Sequence, residues 1–304
     1  MTTPQHHGVS RRSFLKLSGL TALSVGGMTF LTACGPAAQD SGSSSATTKA
    51  GTASAAGAIL GDGKTLRVGM EAAYAPYNWQ VSKESEHTIP IENVSGAYAD
   101  GYDVQAAKVI AKALGMEPVA VKSDFGALID ALNNGQIDIV CAGMSTTDER
   151  KQSADFSDSY IDDDIVMITK KDSKFASATT FADLKGASVM GQADTMYDDV
   201  IAQIPDVNHM TPGKTVPTVV ESLNSGTSDV ITYSMLSVPK LLESYPDFVE
   251  LQMSDKFEGS VMPDNAAIAK GQDDILKKIN DAIATISADE RQQMWNECMD
   301  RQPA

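Results

Sequence analysis

IDIVCAGMSTTDERKQSADFSDSY, residues 137–160, combines an apolar run, a glycine and a polar turn. The run at 137–142 predicts a short buried strand, which Gly143 ends. Hydroxyl residues at 145–147 stand directly before three charged residues at 148–150. Because hydroxyl residues ahead of acidic ones are typical of a helix start, the stretch predicts a strand, a turn and a helix.

The same turn carries groups that bind a carboxylate. The N–H groups at a helix start are unpaired and lie at the positive end of its dipole, which favours an anion. Arg150 adds a permanent cation whose planar fork matches a carboxylate. The alternative is that Arg150 is a surface residue paired with Asp148 or Glu149.

Residues 142–160 closely resemble the signature of the polar-amino-acid family of periplasmic-type solute-binding proteins, the capture subunits of ABC importers. Members carry Gly-x-Ser/Thr-x-Thr-x-x-Arg followed by Asp-Phe-Ser-x-x-Tyr. The resemblance covers roughly Thr65 to the C-terminus. It implies a two-lobed α/β fold of type II, with a ligand cleft between lobes joined by two crossing strands. It also implies that Arg150, Ser145 and Gly143 hold the ligand's α-carboxylate.

Other stretches extend the resemblance. It implies that Glu71 and Tyr74 contact the ligand, whereas Tyr77 and Trp79 more often pack the core. Phe125 is expected to line the site opposite Tyr74, where the two rings would clamp an apolar or a cationic side chain of the ligand. The predicted ligand-binding set is Glu71, Tyr74, Phe125, Gly143, Met144, Ser145, Arg150, Asp194, Thr195 and Tyr233.

The second predicted lobe departs from the family pattern in two places. Asp194-Thr195 stands where members usually have Gly-Thr or Gly-Ser; Thr195 can still serve the carboxylate, whereas Asp194 would repel it unless it binds an amine. Amino-acid-binding members also place an acid for the α-ammonium where this chain has Ser234. Either Asp194 or Glu71 replaces that acid, or the ligand lacks a standard α-amine.

The N-terminal region predicts export and lipid anchoring. Residues 10–16 match a twin-arginine motif, although general-export signals also carry paired arginines, and the apolar stretch 17–31 is typical of a signal peptide. Residues 31–35 resemble a lipobox that would acylate Cys34; the alternative is an incidental cysteine. The Ala-, Ser-, Gly- and Thr-rich stretch that follows predicts a flexible tether. The predicted segments are a signal peptide at 1–33, a linker at 34–63, lobe 1 at 64–164 plus 260–304, and lobe 2 at 165–259.

Composition excludes several classes. Beyond Cys34 the chain has 21 basic and 40 acidic residues, a formal charge of −19. Nucleic-acid binding is therefore disfavoured, since phosphates need a basic face. Cys141 and Cys298 either pair or remain separate thiols. No His/Cys cluster indicates a metal, no P-loop indicates ATP binding, and no cofactor is predicted.

Periodicity predicts the remaining elements. The polar stretch 81–100 is expected to form a surface excursion. The other predicted elements are strands at 65–70, 118–121, 165–169, 229–233 and 261–269, and helices at 101–114, 125–132, 216–223 and 275–286, the last closed by 289–295 with Trp295 in the core.

The resulting functional prediction is an extracytoplasmic lipoprotein, anchored at the cell membrane, that captures an amino acid. The ligand would stabilise the closed form of the two lobes, which would then dock on a membrane permease driven by a partner ATPase. The alternatives are an enzyme such as a cyclic-acid dehydratase, with Glu71 or Asp194 as general acid, or a ligand-binding sensor component.

Overall fold

The computed structural model describes residues 60–303. The predicted signal peptide, the lipobox at Cys34 and most of the predicted tether lie outside these residues. Thirteen strands are present in the described part: β1 Thr65–Met70, β2 Ala73–Tyr74, β3 Asn78–Val81, β4 Ile89–Pro90, β5 Tyr98–Asp100, β6 Glu117–Lys122, β7 Ile139–Val140, β8 Ala154–Lys170, β9 Ser188–Met190, β10 Asn208–His209, β11 Val230–Ser234, β12 Phe248–Glu250 and β13 Val261–Ala269. The α-helices in this part are α1 Tyr102–Leu114, α2 Leu128–Asn133, α3 Arg150–Ser153, α4 Met196–Asp199, α5 Val216–Asn224, α6 Val238–Ser244, α7 Asp273–Ile283 and α8 Ala288–Arg301.

A nine-stranded mixed sheet organises these elements, in the order β10-β9-β11-β8-β13-β7-β1-β6, with β12 also paired to β8. The long strands β8 and β13 run antiparallel through its middle, and we call them the crossing pair. On one side lies the first half-sheet, β7-β1-β6, whose members are parallel to one another. On the other lies the second half-sheet, β11-β9-β10, also parallel. The predicted α/β class is confirmed.

Local sequence explains the first half-sheet. Leu66, Val68 and Met70 of β1 are buried, because this strand lies between two neighbours and is covered by helices. α1 follows the predicted apolar spacing and ends at Gly115, whose φ of 71° is the left-handed conformation of a helix C-terminus.

An aromatic cluster forms part of the core. Trp295 of α8 packs edge-on against Tyr77 and Tyr102, with ring centroids 5.0 and 5.6 Å apart. Tyr77 and Trp79 are also buried. The predictions that Tyr77, Trp79 and Trp295 pack in the core are therefore confirmed.

The prediction for 81–100 is wrong in its second half. β4 and β5 join β2 and β3 in a four-stranded sheet of order β2-β3-β5-β4, and this segment buries Ile89, Ile91, Ala97 and Ala99. The apolar residues alternate with polar ones over very short runs, so the strand periodicity was too brief to recognise.

Two helix predictions also need correction. The helix expected from residues 145–150 is a single turn, α3, because the 17-residue strand β8 begins immediately after it. The C-terminal helix is two helices. Ser287 is the N-cap of α8, where Ser287 and Glu290 form a reciprocal capping box, and this Ser-x-x-Glu spacing was the sequence signal for a new helix start.

Cys141 and Cys298 are both buried free thiols, so the alternative of separate thiols is correct. Leu60, near the end of the predicted tether, is buried, so packing begins before Lys64. Within residues 60–303 none of the helices combines the length and apolar character needed to cross a bilayer.

Candidate functional site

Two adjoining cavities separate residues of the first half-sheet from residues of the second. We call the first the outer cavity; the second, the inner cavity, shares Tyr74, Gln192 and Tyr197 with it. The outer cavity is lined by Tyr74, Phe125, Gly143, Ser145, Arg150, Gln192, Thr195, Met196, Tyr197 and Met262. The inner cavity adds Val216, Val219, Thr232, Tyr233 and Ser234.

Arg150 connects the two sides of the outer cavity. Its Nη1 donates to the Ser145 carbonyl and its Nη2 to the Asp194 carbonyl, both at 2.8 Å. The guanidinium carbon lies 5.3 Å from the centroid of the Phe125 ring, within cation–π range. Burial lowers the pKa of Arg150. No described residue offers it a carboxylate within ion-pair distance, so neither Asp148 nor Glu149 is its partner.

The turn before Arg150 follows β7. Gly143 adopts a φ of 59°, and a side-chain carbon there would lie 3.0 Å from the Tyr74 ring. Ser145 is buried and forms an isolated antiparallel bridge with Asp264 of β13. Met144 is buried too but does not line either cavity. Because α3 has only one turn, its helix dipole is weak. The Arg150 guanidinium is therefore the main positive charge of this site.

Tyr74 and Phe125 provide aromatic walls. The Tyr74 hydroxyl lies 2.8 Å from the Tyr197 hydroxyl of the opposite side, and its ring stacks on Tyr77 at 4.5 Å. Phe125 lies below the guanidinium of Arg150. The predicted clamp of Tyr74 and Phe125 on a ligand side chain stays a prediction, although both rings border the same cavity.

The segment after β9 supplies the opposite wall. Thr195 is the N-cap of α4: its hydroxyl accepts from the Tyr197 N–H at 3.2 Å and donates to the Gln192 carbonyl at 2.7 Å. Asp194 has a φ of 62° and is exposed, and its backbone carbonyl is the acceptor for Arg150. The Asp194 side chain points toward Gly126, and the expected repulsion of an anion would come from this side chain.

Sequence reasoning missed Gln192 and Tyr197. Gln192 Nε2 donates to Glu71 Oε2 at 3.1 Å, and burial raises the pKa of Glu71 although this hydrogen bond opposes the rise. The available signal was position alone: both residues follow β9, and ligands in open α/β sheets lie beyond the carboxyl ends of strands.

Ser234 and Tyr233 lie at the inner cavity. The Ser234 hydroxyl bonds with the Ser237 hydroxyl at 3.0 Å and lies 3.4 Å from the Tyr77 hydroxyl. Tyr77 in turn donates to Asp163 of the crossing pair at 2.7 Å. A carboxylate therefore lies close behind Ser234.

Comparison with known proteins assigns the chain to a family. The model of the bacterial extracellular solute-binding proteins, family 3, matches residues 66–297. The chain belongs to this family. It is 29% identical over 229 residues to the arginine-binding extracellular protein ArtP of Bacillus subtilis, covering 72% of this chain and 80% of that protein. It is 28% identical over 225 residues to the L-cystine-binding protein TcyJ of Escherichia coli, covering 74% and 78%.

Similarity to solved structures agrees with this family assignment. The chain is similar to the crystal structure of a substrate-binding protein of an amino acid ABC transporter, with a TM-score of 0.66, 28% identity, and coverage of 78% of this chain and all of that one. The predicted fold, a type II periplasmic-binding-protein-like fold, is confirmed. The family and its structural neighbours are solute-binding transport proteins, so this is not an enzyme, and the dehydratase alternative is set aside.

Proposed function

We propose that this solute-binding protein captures an amino acid, holds its carboxylate on Arg150, and delivers it to the permease of an ABC importer. The observation that carries the proposal is the Arg150 guanidinium, which lies in the outer cavity between two backbone carbonyls without a carboxylate partner among the described residues. A partly buried cation without a counter-ion is unfavourable, and a carboxylate would supply the missing charge.

The geometry around Arg150 suits a small acid. Guanidinium has five N–H donors, and the two hydrogen bonds to carbonyls leave further donors for a ligand. Phe125 supports the guanidinium from one side, which restricts its orientation. The Ser145 hydroxyl, the Gly143 backbone and the Thr195 region border the same cavity and complete the proposed carboxylate receptor.

Closure is supported by contacts across the cleft. We call the residues around the first half-sheet the first side of the cleft, and those that follow β9 the second side. Three hydrogen bonds join the two sides: Arg150 to the Asp194 carbonyl, Tyr74 to Tyr197, and Gln192 to Glu71. A hydrogen bond contributes about 0.5–1.5 kcal/mol net between neutral groups and about 1.5–3 kcal/mol when one group is charged, so these bonds favour closure. A ligand that contacts both sides adds to that bias and shifts the population.

Arginine-, cystine-, histidine- and glutamine-binding proteins occur among the relatives. We therefore propose an α-amino acid as the ligand and leave its side chain to experiment. The remaining predicted contacts, Glu71, Met144, Asp194 and Tyr233, belong to this proposal as well. Of these, Tyr233 lines the inner cavity. The Glu71 side chain accepts a hydrogen bond from Gln192, which lines both cavities.

The experiment that tests this function is a thermal-shift screen of the twenty standard amino acids and L-cystine at neutral pH, followed by calorimetry. We expect stabilisation by a narrow subset, because binding to the native state raises its stability by RT ln(1 + [L]/Kd). No shift with any of them would overturn the amino-acid proposal.

Membrane attachment forms a separate part of the proposal. We propose that Cys34 carries the lipid anchor and that the stretch after it tethers the acidic domain on the extracytoplasmic face. Mass spectrometry of the membrane fraction should find diacylglycerol on Cys34, and Cys34→Ala should release the protein into the soluble fraction. An unmodified, soluble mature chain would reject the anchor without touching the ligand proposal.

A further inference from the structure

Asp163 lies on β8 of the crossing pair, the two strands that join the half-sheets. Its direct cross-strand partner is Met262 of β13, and we call this part of the crossing pair the hinge. Met262 lines the outer cavity, whereas Asp163 lines neither cavity and is only 4% exposed. A small molecule in the cavities therefore does not reach this carboxylate, and its role is defined by the protein groups around it.

The Asp163 carboxylate accepts hydrogen bonds from both sides of the cleft. On the first side, the Tyr77 hydroxyl donates to its Oδ2 at 2.7 Å. On the second side, the Leu236 N–H, two residues beyond β11, donates to its Oδ1 at 3.0 Å. The N–H of Asp164 also donates to Oδ1, at 2.7 Å, within the crossing strand itself. One carboxylate thus joins the first side, the hinge and the second side.

These hydrogen bonds are what stabilises the buried charge. In the described part of the chain no ion pair involves Asp163. Burial raises the pKa of Asp163, and hydrogen bonds oppose that rise, donated by Ser234, Tyr77, Leu236 and Asp164. The bonds from the first and second sides are kept together only while the sides hold this separation. Rotation of one side away from the other would leave buried polar groups without partners, which costs free energy.

The same network reaches the cavities through stacked rings. The Tyr77 ring stacks on Tyr74 with centroids 4.5 Å apart, and Tyr74 lines both cavities. The Tyr77 carbonyl accepts from the Asp103 N–H at 2.9 Å, which fixes this residue to the start of α1. Because Tyr77 is fixed to the first side while its hydroxyl holds Asp163, the hinge is in direct contact with an aromatic wall of the site.

We propose that Asp163 is a positioning residue that latches the two sides together at the hinge and favours the closed form without touching the bound molecule. The proposal rests on the proposed function, because closure over an amino acid is the step that the latch would favour. It places part of the closing equilibrium in the hinge, separate from the three hydrogen bonds that cross the cleft around the cavities.

The test is the distance between spin labels on the two sides, measured by double electron–electron resonance. The labels are attached to Lys112→Cys on α1 and Glu221→Cys on α5, both exposed positions, in the full-length chain carrying Cys34→Ala. Cys141 and Cys298 are buried, so the labels react at the introduced positions. Distances are recorded without amino acid and with L-arginine, L-histidine or L-glutamine, and stopped-flow experiments measure the dissociation rates of these three probes.

Four variants separate the latch from a general effect on folding. Asp163→Ala removes the acceptor, and Tyr77→Phe removes only the donor of the first side. Asp163→Asn is the conservative variant, since its amide oxygen still accepts from an N–H group and its NH₂ can donate to the Tyr77 hydroxyl. Asp162→Ala is the control, because the neighbouring carboxylate is exposed. Thermal unfolding of each variant verifies folding.

Asp163→Ala and Tyr77→Phe should each lower the ratio of closed to open molecules by about tenfold, because a hydrogen bond to a charged group is lost. Each should also speed dissociation of any probe that binds, since the latch forms as the sides close. Asp163→Asn and Asp162→Ala should match the wild type in both measurements.

Wild-type ratios and dissociation rates in both Asp163→Ala and Tyr77→Phe would overturn the latch, even if the three probes bind as the proposed function expects. Reduced thermal stability with an unchanged ratio would overturn it too, because Asp163 would then only stabilise the fold. If no probe changes the wild-type distances while the two variants still shift them, the latch stands and the amino-acid proposal loses its support.

Discussion

The two sides of the cleft contribute different kinds of groups. The first side presents charged and aromatic side chains, above all Arg150 with Phe125 beneath it. The second side presents a backbone carbonyl at Asp194, a hydroxyl already used as a helix cap at Thr195, and the neutral side chain of Gln192. The difference teaches that one side determines which charge is bound, whereas the other completes the enclosure.

The largest effect should come from the first side. Arg150→Ala is expected to weaken binding of any amino acid found in the screen by about 100-fold or more, because truncating one partner of a desolvated charge pair costs about 2–5 kcal/mol. Lys151→Ala is the matched control, since it removes an exposed neighbouring cation and should leave affinity unchanged. Calorimetry on both variants measures the difference.

On the second side, Asp194→Asn should have little effect on the same affinity. Arg150 uses the backbone carbonyl of this residue, and asparagine tolerates a φ of 62° well. If Asp194→Asn instead matched the loss caused by Arg150→Ala, the contrast between charged and backbone contributions would be wrong.

Asp103 on the first side should contribute a pH dependence of stability. Burial raises the pKa of Asp103 from 3.8 to about 6, so the folded state holds its proton more tightly than the unfolded state does. The contribution of this group to stability is therefore greatest below pH 4 and is lost as pH rises toward 6. That difference in pKa corresponds to about 3 kcal/mol.

Asp103→Asn removes this titration. Urea unfolding at pH 4, 5, 6 and 7 should show the wild type losing about 2 kcal/mol relative to the variant across this range, on top of a constant offset from altered hydrogen bonds. A constant difference between the two proteins at all four pH values, or one that changes in the opposite direction, would show that Asp103 does not carry this dependence.

Closure should depend on a close approach between the two sides. A side-chain carbon added at Gly126 would lie 2.3 Å from Asp194 Oδ2 and 2.8 Å from its Cγ, which requires the Asp194 side chain or the segment that carries it to shift. Gly126→Ala should weaken ligand binding by about tenfold, an effect of about 1.4 kcal/mol within the range for overpacking.

A second substitution sharpens this prediction. Removing the opposing side chain in Gly126→Ala/Asp194→Gly should restore affinity, and glycine suits the positive φ at residue 194. Calorimetry on the single and double variants gives the coupling energy. If the double variant did not regain ligand affinity, Gly126 would act through something other than this contact.

The smallest effect is expected at the tyrosine pair. Tyr74→Phe and Tyr197→Phe each remove the 2.8 Å hydroxyl contact across the cleft, which contributes about 1 kcal/mol. Each should weaken binding by about fivefold, and the double variant should be no worse than either single one, because all three lack the same hydrogen bond. Additive losses would show that the two hydroxyls act independently.

The sequence predicted the first side better than the second for physical reasons. Arg150 and the turn around Gly143 have side-chain requirements that leave a pattern in the sequence. The carbonyl of Asp194 could belong to any residue, and the N-cap role of Thr195 is set by the one-turn helix after it. Backbone contributions of this kind become visible only when the chain is folded.

Secondary structure was predictable where the periodicity was long, as in α1 and β13. It was not predictable where elements were too short to show a period, as in β4 and β5. The 17-residue strand β8 was predicted only at 165–169, because its first part carries the polar residues of a strand with one exposed face. Asp163 and Asp264 belong to these crossing strands, so their placement depends on the register of β8 against β13.

The central claim is that the Arg150 guanidinium binds the carboxylate of an amino acid. The most direct measurement compares L-arginine, L-histidine and L-glutamine with their α-carboxamides by calorimetry, in the wild type and in Arg150→Ala. We predict that the wild type prefers the free acid by about 100-fold for whichever of these binds, and that the variant shows no preference. An undiminished preference in Arg150→Ala, or equal affinity of the wild type for acid and amide, would contradict the claim.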